Sequence, residues 1–315
     1  MNHLVILNDG EEAAYFHNTL ENLTEALDIF YFPASFKNRK NYQLLNSSHV
    51  MLRTEALTKI AAGGNKKVLV TYPEALFEKV VLPKTLSANI IHIRTGDTLD
   101  TGQLLLKLGD YGFERTDFVY EPGQFAIRGG ILDIYSFGNE KPYRVELYGN
   151  EVDSIRIVDP ETQLSERKLL QVSIIPNVDT QFEDEDRISL FEFLPENTVI
   201  WIQDYALCRE HIADGIEDLE SFLRIQEELR AQPVVKTKHR EDPDDKLEKK
   251  QVSMKDFISI PEWEEKIVQH HLVGFGHGDS FPDHFSPFTI RHNTREQPSF
   301  NRQFDLLIRD LKSWE

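Results

Sequence analysis

Glu121-Pro-Gly-Gln-Phe-Ala-Ile-Arg-Gly-Gly-Ile-Leu-Asp-Ile-Tyr135, followed by Pro142-Tyr-Arg-Val-Glu-Leu-Tyr-Gly-Asn-Glu-Val-Asp-Ser-Ile-Arg156, decides how this chain is read. It spells strand, glycine kink, strand, loop and tight hairpin. Tyr143, Val145 and Leu147 alternate with Arg144, Glu146 and Tyr148, the period-2 pattern of a strand with one buried face. Gly149-Asn150 separates this run from the next, and a glycine at the first central position suits a two-residue II′ turn. With Val145 and Leu147 in the core, the pattern displays Arg144 and Tyr148 together on the open face. An arginine beside an aromatic is common chemistry for a protein-binding hot spot. In the second strand Val152 continues the buried face, but Ile155 and Ile157 fall out of phase with it. A bulge or strong twist near Asp153-Ser154 would reconcile them.

Working outward, the texture changes on both sides of this block. Before it, strands are expected at 4–7, 29–32, 68–71 and 90–93, and helices at 10–23, 50–62 and 98–108. Gly63-Gly64 and Gly109 read as helix stops. Alternation of strand and helix predicts an α/β fold with a mostly parallel, doubly wound sheet. From 117 to 175 the signals are consecutively β, and strand–helix texture returns with a strand at 199–202. The reading is an α/β domain formed by 1–96 and 180–315, interrupted by a β-rich α+β module at 97–179. Two charged stretches, 179–187 and 232–250, read as solvated joints.

Composition narrows the function. The 53 acidic residues outnumber the 35 basic ones, giving a formal charge of −18, which argues against a phosphate backbone as the main partner. The single cysteine, Cys208, has no partner for an internal disulfide and reads as a buried, inert residue on a helix. No run approaches the length of apolar sequence that a membrane helix needs. A soluble, cytoplasmic protein with no membrane partner is the expectation.

The sequence carries no recognisable catalytic or cofactor motif. The phosphate loop Gly-x4-Gly-Lys-Ser/Thr is absent, and the nearest cluster, Gly63-Gly64-Asn-Lys-Lys67, follows a helix instead of opening one. His270, His271, His277, Asp279, Asp283, His284 and His292 crowd one span but in no zinc spacing, with His270 and His271 on different faces of a helix and a glycine-rich loop after them. No Gly-x-Ser-x-Gly elbow occurs. Asp133 reads as a carboxylate that pairs with a neighbouring arginine or a backbone turn. The residues alone therefore assign no catalytic group, no cofactor and no metal site. For Arg128 and Arg144 they leave two readings open: neutralising Asp133, Glu146 and Asp153 on a solvated sheet, or contacting a partner.

One resemblance bears on that choice. Tyr111-Gly112, Gly123-Gln-Phe-Ala-Ile-Arg-Gly129, Ile131-Leu-Asp-Ile134, Pro142-Tyr-Arg144, Asp153-Ser-Ile-Arg-Ile-Val-Asp159 and Thr162-Gln-x-Ser165 resemble the UvrB-homology region of the bacterial transcription-repair coupling factors (Mfd). Val70-Thr-Tyr-Pro-Glu-Ala-Leu76 and Gln297-Pro-Ser-Phe-Asn-Arg-Gln-Phe304 resemble the same family. The resemblance implies a UvrB domain 1-like, degenerate P-loop-NTPase-like α/β domain that has lost its phosphate loop. It implies a module that binds UvrA through Arg128, Arg144 and Tyr148, with Gly129 and Glu146 beside them, and that carries no catalytic residue. The ATP-dependent DNA translocase motor of the family, with its RNA polymerase and double-stranded DNA contacts, would lie outside this chain, which reads as an excised amino-terminal fragment. Two departures stand out: Tyr148 where phenylalanine is common, and Ile134-Tyr-Ser136 where the family has a Phe-Pro pair. The rival readings are a cryptic NTPase, and a DNA-binding module using a local basic patch such as Lys236-Thr-Lys-His-Arg240.

Overall fold

The structure is a computed structural model that describes residues 1–38, 41–178, 187–231, 252–276, 281, 282, 285, 288, 290 and 303–314. It divides into two compact units, residues 1–281 and 282–315. Of the expected joints at 179–187 and 232–250 all but Arg187 lie outside the described residues, as do His277, Asp279, Asp283, His284, His292 and most of 297–304, while Arg187 opens a short strand paired with Val80–Val81. Of the second unit, the helix Phe304–Trp314 is the regular element, with Phe304, Ile308 and Leu311 exposed along it.

The first unit is mixed α/β, built on two main sheets. One is five-stranded and all parallel, in the order His271–Gly274, Thr198–Ile202, Asn2–Ile6, Lys67–Thr71, Asp28–Tyr31. Its central strands are near-continuous apolar runs, and every residue of Lys67–Thr71 is buried, as a parallel sheet covered on both faces requires. The helix Gly10–Leu23 starts at Asp9, whose carboxylate accepts hydrogen bonds from the Glu11 and Glu12 backbone N–H groups at 2.9 and 2.8 Å. The helix Ser47–Ala61 ends just before Gly63 and Gly64, both in the left-handed region. The long helix Tyr205–Ala231 buries Cys208, and burial pushes that thiol far above its ordinary range.

The other sheet is six-stranded, in the order Ser165–Leu169, Glu151–Val158, Tyr143–Tyr148, Ile131–Ile134, Gln124–Arg128, Glu114–Arg115. All pairs are antiparallel except the last. Phe125, Leu132, Ile134, Tyr143, Val145, Val152 and Ile155 are buried on its apolar face.

Three expectations are corrected. The strand at Ile91–Arg94 does not extend the parallel sheet; it pairs antiparallel with Gln171–Ile174. Its alternation of Ile91 and Ile93 with His92 and Arg94 suits a half-exposed ribbon better than a doubly covered sheet. The chain entering the six-stranded sheet is thereby zipped to the chain leaving it. His271 is not helical: it opens a strand at the edge of the parallel sheet, because the preceding helix ends at Ile267. Gly109 lies inside the helix Thr101–Asp110, and the left-handed residue that stops it is Gly112.

Candidate functional site

Two tight turns frame the site. Arg128 pairs with Ile131 across Gly129-Gly130, and Tyr148 with Glu151 across Gly149-Asn150. Gly129 and Gly149 take positive φ, +61° and +62°, at the first central position of each turn. Only glycine fits at 130 as well, because a Cβ there would sit 2.7 Å from the Leu147 carbonyl oxygen. The phase break in the second hairpin strand is a bulge: Glu146 faces Ser154 and Leu147 faces Val152, leaving Asp153 as the extra residue. Ile155 then rejoins the buried face opposite Val145.

Pairing places Ala126, Arg128, Ile131, Asp133, Arg144, Glu146 and Tyr148 on the polar face of the sheet. At its centre Asp133 is fully buried. Arg144 lies directly opposite and grips it with both forks, Nε to Oδ1 at 2.7 Å and Nη2 to Oδ2 at 2.9 Å. Arg128 Nη2 donates to Asp133 Oδ2 from the other side, and Nη1 donates to the Asp117 carbonyl. The Arg128 guanidinium also lies over the Phe118 ring, 4.8 Å from its centroid. The Asp133 hydrogen bonds push the Arg144 guanidinium pKa further up.

This face is not fully open, which corrects the picture of Arg144 and Tyr148 displayed side by side. Gln163, held at φ +59°, puts its carbonyl 3.3 Å from Arg144 Nη1 and its amide 3.0 Å from the Val119 carbonyl. Val119, Ala126 and Tyr135 form a buried cluster on the same face. The Arg144 side chain is left 15% exposed and that of Arg128 36%. Tyr148, at the hairpin tip, is 86% exposed. Glu146 accepts a 2.6 Å bond from Ser154 Oγ and lies 3.5 Å from Arg156.

The residues therefore fall into two kinds. Arg144 and Asp133 hold the sheet and its covering loops together, while Tyr148, with Arg128 and Ile131 nearby, meets solvent. The tip is braced from behind. Leu99 N–H donates to the Asn150 carbonyl at 2.7 Å, Gly96 N–H to Val152 at 2.8 Å, and Val152 N–H to Asp97 at 2.9 Å. A hairpin backbone so fixed has little freedom left to lose when a partner covers the tip. Sequence reading missed the contributions of Phe118 and Gln163; nothing in a Gln at 163 signals a left-handed residue, and Phe118 lies outside the strands that carry the pattern.

Among the described residues no group of three or more metal-ligating side chains comes together. None of the described helices is long and apolar enough to cross a membrane.

Residues 91–179 match the family model of the UvrB interaction domain. The chain is 28% identical over 174 residues to the transcription-repair-coupling factor of Bacillus subtilis, covering 55% of this chain and 15% of that protein. It is 31% identical over 183 residues to the factor of Staphylococcus haemolyticus, covering 58% and 15%, and 31% identical over 172 residues to that of Staphylococcus aureus, covering 54% and 14%. The similarity read from the sequence thus holds over more than half of the chain, and the chain spans about a seventh of the length of these relatives.

Proposed function

We propose that this chain is the UvrA-recruiting, UvrB-like region of a transcription-repair coupling factor acting in nucleotide excision repair. Residues 1–96 and 180–315 would form the degenerate, P-loop-NTPase-like α/β domain, and 97–179 the inserted binding module. The observation that carries the reading is the coincidence of the matched segment, 91–179, with the six-stranded sheet whose braced hairpin tip presents Tyr148. In this reading Tyr148 and Arg128 touch UvrA directly. Arg144, Glu146 and Gly129 shape the surface: Arg144 through Asp133, Glu146 through Ser154 and Gly129 through its turn. Recruitment of UvrA to a stalled RNA polymerase, and travel along double-stranded DNA, would belong to the longer protein.

The same reading makes the chain a binding region without catalysis or cofactor. In a phosphate-binding NTPase the turn between first strand and first helix offers free backbone N–H groups to the phosphates. Here that turn is Leu7-Asn8-Asp9-Gly10, and Asp9 occupies the N–H groups with its own carboxylate. Glu11 and Glu12 add negative charge in the first helical turn. An anionic nucleotide would meet repulsion where it needs donors.

The test is calorimetric titration of purified UvrA into the chain and into Tyr148→Ala. Saturable binding that weakens by about 2 kcal/mol, roughly thirtyfold, with an unchanged melting temperature is expected. Equal affinity of the two would place the contact elsewhere.

A further inference from the structure

A row of charged side chains crosses the polar face of the six-stranded sheet. Pairing sets Asp133 opposite Arg144, Arg144 opposite Arg156, and Arg156 opposite Lys168, so the four lie side by side on adjacent strands. Exposure rises along the row. Asp133 is fully buried, the Arg144 side chain is 15% exposed and that of Arg156 41%, and Lys168 stands exposed on the edge strand Ser165–Leu169. Neighbouring strands are about 4.8 Å apart, so the three cations stand within roughly 10 Å of one another along the row. Like charges directly opposite each other destabilise a sheet.

Nearby carboxylates do not offset the outer two. Asp133 is held by Arg144 and Arg128. Glu146 accepts from Ser154 Oγ and stands 3.5 Å from Arg156, so one shared carboxylate faces that guanidinium. Glu166, two residues from Lys168 on the edge strand, is taken by Lys141 Nζ at 2.5 Å. Lys168 has no hydrogen bond or ion pair with any described residue. A lysine on an edge strand also guards a sheet against pairing with other strands. That role asks nothing of Arg156, which sits on an inner strand.

We infer that Arg156 and Lys168 form the electrostatic half of the UvrA contact and receive a carboxylate-bearing segment of that protein, while Tyr148 supplies the apolar half. The inference rests on the proposed recruitment of UvrA by this module. Both halves lie on one face of the sheet, since Arg156 is the cross-strand partner of Arg144 and Tyr148 follows Arg144 four residues along the same strand. That is about 13 Å along the strand, with Lys168 about 10 Å across it. Both ends therefore fit within one interface of ordinary size, about 800 Å² per partner. A guanidinium fork matches a carboxylate with two parallel bonds. A long polyanion such as DNA meets the field of the whole chain, with its formal charge of −18, whereas a short acidic segment engages the local row. Charges at the rim of an interface act mainly on encounter, so the row steers UvrA and the tyrosine holds it.

Association of UvrA with the fluorescently labelled full chain is followed by stopped-flow anisotropy over a range of salt concentration. Lys168→Glu should lower the association rate at low salt by at least about fivefold and flatten its salt dependence. Its melting temperature should hold or rise, because a glutamate opposite Arg156 replaces a like pair with an opposite one. Arg156→Gln and Lys168→Gln, which each remove one charge, should lower the rate in the same direction by a smaller factor. Lys84→Glu makes the same charge change on the exposed face of the helix Pro83–Ala88, outside this sheet, and should cost less than about twofold. Tyr148→Ala should speed dissociation and leave the salt dependence as it is. Unchanged association in Lys168→Glu and Arg156→Gln, with Tyr148→Ala weakened, overturns this inference and leaves the recruitment reading standing. No binding of UvrA by the unaltered chain overturns both. An equal loss in Lys84→Glu would reduce the effect to net charge, and saturable DNA binding by the chain alone that Lys168→Glu abolishes would give the row to phosphate; either result overturns the inference.

Discussion

The two main sheets of this protein treat their faces differently. In the parallel sheet Lys67–Thr71 is buried at every position, so its side chains hold the domain and the surface available to ligands is confined to strand ends. In the six-stranded sheet one face is apolar and buried, while the other carries Arg128, Asp133, Arg144, Glu146 and Tyr148. A polar sheet face can be given in part to a partner, and the segment matched by the family model, 91–179, coincides with the sheet that has one. Yet charge on that face does not mean availability. The Asp133–Arg144 pair lies under the 116–119 and 159–164 segments, and the most exposed side chain among the site residues is the tyrosine at the tip.

That contrast can be broken at its strongest point first. Val145→Asp puts an unpaired carboxylate on the buried face and should cost several kcal/mol, roughly 4 or more, unfolding the six-stranded sheet. Loss of its near-ultraviolet signal at moderate urea, with the parallel-sheet helices still present, is the expected outcome. A single unaltered transition would mean that the two sheets unfold as one.

Arg144→Ala comes next. It leaves Asp133 buried with only Arg128 to balance it, and should destabilise by about 3 kcal/mol in urea denaturation. A change below about 0.5 kcal/mol, typical of an exposed arginine, would contradict its structural role. Any loss of UvrA affinity on changing Arg144 must therefore be read against stability, and charge reversal at this position is no clean probe of contact. Arg128→Ala should cost less, about 1 kcal/mol, because the side chain is 36% exposed and solvent screens its pair with Asp133. The smallest effect concerns nucleotide. Saturating ATP should leave the melting temperature unchanged, since a ligand that binds the folded chain must raise it. A rise of several degrees would show that the Asp9 cap does not block the turn.

Local chemistry was legible in the sequence. Glycine at 149 announced the hairpin turn, and the phase break between Val152 and Ile155 announced the bulge that Asp153 supplies. Asp133 was readable as an arginine partner because the strands that bring them together are close in sequence. Features assembled over long separations were not legible. Pairing of Ile91–Arg94 with Gln171–Ile174 joins segments with the whole six-stranded sheet between them. The cover over Arg144 depends on a left-handed Gln163, a conformation that glutamine rarely adopts and its identity does not announce. Nor did the histidines near 270 reveal that one of them begins an edge strand.

The proposal that this UvrB-like chain recruits UvrA implies that it binds UvrA on the surface that UvrB uses. It is tested most directly by competition: UvrB is added in increasing amount to a preformed complex of UvrA with the fluorescently labelled chain, and anisotropy is followed. The account predicts full displacement along a single competition curve, with Tyr148→Ala displaced at roughly thirtyfold lower UvrB. Undiminished anisotropy at saturating UvrB, with all three proteins migrating together, would contradict it.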